Sequence, residues 1–200
     1  MTRVVLATRN TGKIVELRRI LADAGVPVEL LGLEDFPHIG EVAETGLTFA
    51  ENSLLKAHAV ASGSGLPAVA DDSGLCVDAL NGMPGIFSAR WAGAHGDDKA
   101  NLDLLLAQIS DVPDGRRQAH FACTAALALP SGEEHVVDGS VHGFLIREPR
   151  GVNGFGYDPI FVPEGETRTT AEMSSEEKDA ISHRGRAFRA LALIMAEVLS

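Results

Sequence analysis

Residues 118–146 read QAHFACTAALALPSGEEHVVDGSVHGFLI, and the reading of this stretch decides the fold. Two β-rich runs, Gln118 to Leu129 and His135 to Ile146, flank Pro130-Ser131-Gly132-Glu133, whose residues suit a tight turn, so an antiparallel hairpin is predicted. Upstream the pattern changes. Arg3-Val4-Val5-Leu6-Ala7-Thr8 is a short β run ending at Asn10-Thr11-Gly12, and Ile14, Leu17, Ile20 and Leu21 follow at helical spacing until Gly25. A second strand is expected at Val28 to Leu31. After a polar loop, Thr48-Phe49-Ala50-Glu51 has the form of a capping box opening an Ala-rich helix to about Ser62. Pro67-Ala68-Val69-Ala70 predicts a buried strand stopping at Asp71-Asp72, with a separate short strand from Gly74 to Leu80. Leu102, Leu105, Leu106 and Ile109 mark one face of a helix between Asp97 and Ser110, and a last helix is expected from Ser175 to Leu199. Helices alternate with strands early and a hairpin intrudes later, which predicts an α/β fold with a mixed sheet rather than a purely doubly wound one. With no internal repeat, low-complexity tract or linker, residues 1–200 read as a single two-lobed domain, with a cleft expected between the lobes.

The chain has 200 residues, 45% hydrophobic and 22% charged, a globular composition far from that of disordered segments. Its 28 Asp and Glu against 17 Lys and Arg give a net charge of -11, which excludes broad adhesion to nucleic acid or anionic lipid because both need a basic footprint. A phosphate ligand must therefore meet locally placed cations or a metal. The apolar run Ala190 to Ala196 is too short to span a bilayer, and the N-terminus has no signal-peptide layout, so a cytoplasmic protein is expected. Cys76 and Cys123 sit in apolar stretches without a Cys-x-x-Cys partner and read as reduced core residues. The seven histidines show no metal-ligand spacing, whereas a carboxylate site for magnesium stays open.

Several short segments could carry chemistry. Thr8-Arg9-Asn10-Thr11-Gly12-Lys13 lies where a strand hands over to a helix, so backbone N–H groups, the positive helix end and the Lys13 ammonium can converge on an anion. The same residues also suit an N-cap Asn10, a turn Gly12 and a solvated Lys13. They do not form a Walker A loop, which needs Gly at Ala7 and Ser or Thr at Ile14. Neighbours on a strand point to opposite faces, so one of Asp71 and Asp72 can be a ligand and the other an anchor, or the pair can form an Asx turn before Gly74. Glu51 is explained by the capping box, Glu44 has no local structural duty and in isolation reads as a solvated loop carboxylate, and Lys56 reads by default as surface charge. Gly154-Phe155-Gly156-Tyr157-Asp158-Pro159 packs two aromatics, two glycines and an acid into one loop, which suits close approach to a flat ligand and stacking, or else a Gly-rich turn with Phe155 tucked into the core. Lys178 and Ser182-His183-Arg184 suit either a polar helix face or a site.

Taken together, these segments resemble the inosine triphosphate pyrophosphatase family, nearly end to end. The resemblance rests on Thr8 to Lys13, Glu44 to Asn52, Ala70 to Leu75, Pro84 to Arg90, Gly154 to Pro159 and Ser182 to Gly185, in the family's order; Trp91 departs from a more usual Tyr. It implies an elongated mixed sheet with two α/β lobes flanking a central cleft, and a homodimer. It implies hydrolysis of non-canonical purine nucleoside triphosphates (ITP, dITP, XTP) to the monophosphate and pyrophosphate, by water attack at the α-phosphorus. By motif match, Asp72 would act as the base and share Mg2+ with Glu44, while Thr8, Arg9, Asn10, Thr11, Gly12, Lys13, Lys56 and Ser73 would hold the triphosphate. Phe155, Gly156, Tyr157 and Asp158, with Lys178, His183 and Arg184, would form the nucleoside pocket. Cationic donors there suit a six-keto oxygen and oppose the six-amino group of adenine, which leaves guanine to be excluded at its two-amino group. Two other readings are a pyrophosphatase for a different modified nucleotide and a non-catalytic nucleotide sensor.

Overall fold

The computed structural model of the protein describes residues 2–9 and 11–199. The strands are β1 (Thr2–Leu6), β2 (Val28–Leu31), β3 (Ala68–Val77), β4 (Gln118–Ala128), β5 (Glu134–Leu145) and β6 (Phe161–Pro163). The helices are α1 (Thr11–Asp23), α2 (Phe49–Ser64), α3 (Asp98–Gln108), α4 (Ser175–Ile181) and α5 (His183–Val198). One sheet holds the strands in the order β2-β1-β3-β4-β5-β6. β1 runs parallel to β2, with Val4 opposite Leu30, and parallel to β3, with Leu6 opposite Val69. β5 and β6 are antiparallel, and the predicted turn between β4 and β5 closes through Leu129 N–H donating to the Glu133 carbonyl at 2.8 Å. The sheet is therefore mixed, as the hairpin required. Among the described residues no helix is long and apolar enough to cross a membrane.

The chain divides into two compact units, residues 1–72, 123–139 and 184–200 in the first and 73–122 and 140–183 in the second. In the first, strand alternation sorts side chains into two layers. Val4, Leu6, Val69, Ala125 and Leu127 pack with Leu17 of α1 and Phe188 of α5, whereas Val5, Ala68, Ala70, Ala126 and Ala128 pack with Ala57 and Val60 of α2. The small alanines of the second layer let α2 lie close to the sheet. In the second unit, Leu105 of α3 packs with Leu75, Val141, Ile160 and Phe161. Each fully buried Leu or Phe in these layers contributes roughly 1.5–3 kcal/mol of apolar burial.

Two expectations are corrected. β3 does not stop at Asp71-Asp72 but runs unbroken through Ser73-Gly74, because each carboxylate meets polar partners inside the fold and no turn is needed. Gly74 permits that path: a Cβ there would stand 2.2 Å from the Gly85 carbonyl oxygen and 2.6 Å from Ser88 Oγ. The last helix is two helices, since Ser182 takes an extended conformation (φ -63°, ψ 149°) after α4 and α5 starts afresh at His183.

Candidate active site

Continuity of β3 sets the direction of its two carboxylates. Asp71 shares parity with Val69 and so faces α1 and α5; Asp72 shares parity with Ala70 and faces α2. The Lys13 ammonium, two residues into α1, donates to both Asp71 oxygens at 2.9 Å, and Arg184 Nε, at the start of α5, donates to Asp71 Oδ2 at 3.1 Å. The Asp71 side chain is only 2% exposed. Burial alone would raise its pKa, yet Lys13 first and Arg184 second outweigh burial and hold the carboxyl well below the usual carboxylate range. Burial likewise works against the Arg184 charge, and Asp71 more than restores it. Cys123 is buried beside this pair, its thiol pushed up by burial and by Asp71, which makes it inert rather than nucleophilic.

On the α2 side, Asp72 Oδ2 accepts a hydrogen bond from Asn52 Nδ2 at 3.0 Å, and Asp72 Oδ1 lies 3.8 Å from Lys56 Nζ. The same ammonium donates to Glu44 Oε1 at 2.6 Å. Thr48 caps α2 as expected, accepting from Glu51 N–H, while the Glu51 carboxylate reaches back to Leu47 N–H. Lys13, Arg184 and Lys56 thus pair with Asp71, Asp72 and Glu44 within the first unit of an acidic protein. Arg9 donates to the Ile39 carbonyl at 3.3 Å, Asn10 and the Thr11 side chain lie outside the description, and Gly12 belongs to the first turn of α1. Thr8 follows β1 directly, and Ser73 continues β3 beyond Asp72.

The second unit gathers the residues of the Gly154 to Asp158 loop. Buried Asp158 accepts from Phe155 N–H at 2.8 Å, from Thr170 Oγ1 at 2.8 Å and from Lys178 Nζ at 2.5 Å. Gly154 has φ +74°, and a Cβ there would lie 2.0 Å from Asp158 Oδ2, so glycine is required for the loop to fold over its own acid. Phe155 is 59% exposed, with the Lys178 ammonium 4.9 Å from its ring centroid. Gly156 N–H donates to Asp98. His183 stacks on Phe121 with centroids 5.0 Å apart, and both line a cavity with Asp158, Thr170 and Lys178.

Two placements differ from the sequence reading. Tyr157 does not offer its ring for stacking: it is buried in the core and its hydroxyl donates to the Ser88 carbonyl, with its pKa raised by burial and then by Asp98. Arg184, read with His183 for the nucleoside pocket, sets its Nε on Asp71. Successive residues of a helix are about 100° apart around the axis, so neighbours at the start of α5 face different ways. The sequence reading passed over Asn52, whose only signal was its place in the Glu44 to Asn52 segment, and Thr170, which had none.

A mixed α/β sheet with carboxylates and cations gathered at one of its inner strands places this chain among α/β proteins with a charged site on the sheet. The model of the Ham1 family matches residues 4–194, and the chain belongs to that family. It is 69% identical over 199 residues to a dITP/XTP pyrophosphatase of Streptomyces coelicolor, covering 100% of both chains. Among solved structures it is similar to a nucleoside-triphosphatase, or dITP/XTP pyrophosphatase, from Mycobacterium abscessus, at 57% identity and TM-score 0.81 over 95% of this chain and 97% of that one. A HAM1 protein from Coxiella burnetii aligns at 40% identity and TM-score 0.91, covering 99% of this chain and 100% of that one.

Proposed function

We infer that this chain hydrolyses the non-canonical purine nucleoside triphosphates ITP, dITP and XTP to the monophosphate and pyrophosphate, acting as one two-lobed domain in a cytoplasmic homodimer. The observation that carries this reading is the division of labour on β3: Asp71 is held by Lys13 and Arg184, while Asp72 lies near Lys56, whose ammonium also binds Glu44. The names of close relatives point to the same substrates.

The donor set suits magnesium. Glu44 and Asp72 are hard oxygen donors, and the Lys56 ammonium between them stands in for a cation at that spot. When bound, the ion neutralises phosphate charge and makes water more acidic. Asp72 orients the attacking water and takes its proton as the bond to the α-phosphorus forms and pyrophosphate leaves. An ion pair with Asp71, 2.9 Å from both carboxylate oxygens, fixes the Lys13 ammonium in place for an outer phosphate. Lys56 turns from Glu44 toward the phosphates, and the segment from Thr8 to Gly12, with Ser73, supplies further donors.

Base recognition falls to the second unit. Asp158 spends its acceptors on Phe155, Thr170 and Lys178, so it presents the lysine rather than binding the base itself. Lys178 and His183 offer donors to a six-keto oxygen, and the exposed Phe155 ring offers a stacking face. Pyrophosphate release with Mg2+ across a panel of purine and pyrimidine triphosphates tests the whole reading: ITP, dITP and XTP should lead, and equal rates on ATP and GTP would sink it.

Two variants refine the assignment. Lys178→Ala should cut kcat/KM on ITP far more than on ATP, narrowing their ratio by about one to two decades, the worth of a hydrogen bond to a charged donor. A proportional fall on both substrates would move Lys178 out of base recognition. Lys13→Ala should weaken triphosphate binding while changing monophosphate affinity much less, as expected for a cation at the outer phosphates. Equal losses in isothermal titrations with the two nucleotides would place Lys13 elsewhere.

A further inference from the structure

We propose that Asn52 is a positioning residue of the metal site, locking the Glu44 loop and the Asp72 carboxylate into one rigid pair; this rests on the reading of Glu44 and Asp72 given above. Asn52 lies in the first turn of α2 and is 0% exposed. Its two amide ends have different partners. Oδ1 accepts from Gly46 N–H at 2.8 Å, and Nδ2 donates to Asp72 Oδ2 at 3.0 Å. Gly46 N–H can only donate, so the amide oxygen must face it and the amide nitrogen must face Asp72.

That orientation has consequences on both sides. At Asp72 it commits Oδ2 to the fold and fixes the carboxylate plane, which directs Oδ1 toward Lys56. At the loop it pins Gly46, two residues after Glu44, and therefore sets where the Glu44 carboxylate begins. Two carboxylates that share one ammonium repel each other, and an amide that ties the Gly46 backbone to the Asp72 carboxylate holds them at one spacing before any metal arrives. Gly46 is fitted to this bridge: a Cβ there would lie 2.6 Å from Glu51 Cβ and 2.8 Å from Asn52 Oδ1. Groups that orient ligands in this manner typically govern metal affinity or turnover by about 10–100-fold.

The test compares wild type, Asn52→Ala and Gly46→Ala, with folding checked by circular dichroism. Mn2+ alone is titrated into each protein and followed by water-proton relaxation, and ITP turnover is measured separately with Mg2+. Both variants should bind Mn2+ about 10-fold or more weakly and lose kcat, while KM for ITP moves by less than about threefold. Gly46→Ala breaks the bridge from a surface loop, so it decides the matter if Asn52→Ala does not fold. Unchanged Mn2+ affinity and turnover in a folded variant, or no Mn2+ binding by wild type, overturns the proposal. A wild type that binds Mn2+ but releases no pyrophosphate, with variants weakened as expected, rejects the assigned activity and keeps the positioning role.

Discussion

Asp72→Asn is expected to lower kcat for ITP hydrolysis by about 10²–10⁴-fold, the range of a positioned general base, and further through the loss of a metal charge. The substitution keeps the shape of the side chain. Its amide oxygen can still accept from Asn52, so the buried hydrogen bond at 3.0 Å survives and the fold should too. What disappears is the negative charge facing Lys56, together with a group basic enough to take a proton from water. The loss should therefore fall on kcat, with nucleotide affinity retained because Lys13 is held by Asp71 and not by Asp72. Rapid-quench measurement of pyrophosphate formation, beside a thermal melt, separates the two. A folded variant with kcat within a few-fold of wild type would remove Asp72 from the base role.

The first strand was legible in the sequence, and the two layers that sandwich it explain its composition. Val4, Val5 and Leu6 form an apolar run with no polar face, as a strand between two helix layers must. The Thr48 cap and the turn at Pro130 to Glu133 were equally legible, because each depends on residues adjacent in the chain. Asp71-Asp72 misled for the opposite reason. Two carboxylates after an apolar run look like a strand end, and what keeps the strand going is a pair of cations 58 and 113 residues away. Ser182 interrupts the last helix without glycine or proline to announce it.

The chemistry was legible by residue type and less so by direction. Strand alternation allowed the two aspartates to face opposite ways, with an Asx turn as the alternative, and they part onto α1 with α5 and onto α2. Arg184 could not be sorted from His183 by spacing, since the break at Ser182 sets where α5 begins and hence which way each points. Tyr157 illustrates a different limit. A tyrosine in a Gly-rich loop suggests a ligand platform, but its burial depends on the Ser88 carbonyl and a core drawn from α3, β3 and β5.

Asp71→Asn should destabilise the protein by about 3–5 kcal/mol at neutral pH, the cost of removing one partner from a buried charge network. The side chain is 2% exposed, and its partners Lys13 and Arg184 are 21% and 10% exposed, so water screens them poorly. Without the carboxylate, two cations face each other across a neutral amide. For a chain of this size the melting temperature should fall by roughly 10 °C. The pH dependence identifies the cause. Because the folded state holds the Asp71 carboxyl below its unfolded value of about 4, its stabilisation is complete above that pH and is lost as pH falls through the folded value. The gap in unfolding free energy between wild type and Asp71→Asn should therefore be widest near pH 7 and shrink progressively below about pH 4. Urea unfolding of both proteins at pH 7, 4 and 3 measures it. A gap that does not change with pH would mean that the variant acts through packing or hydrogen bonding, and that the charge of Asp71 does not hold Lys13 and Arg184 in place.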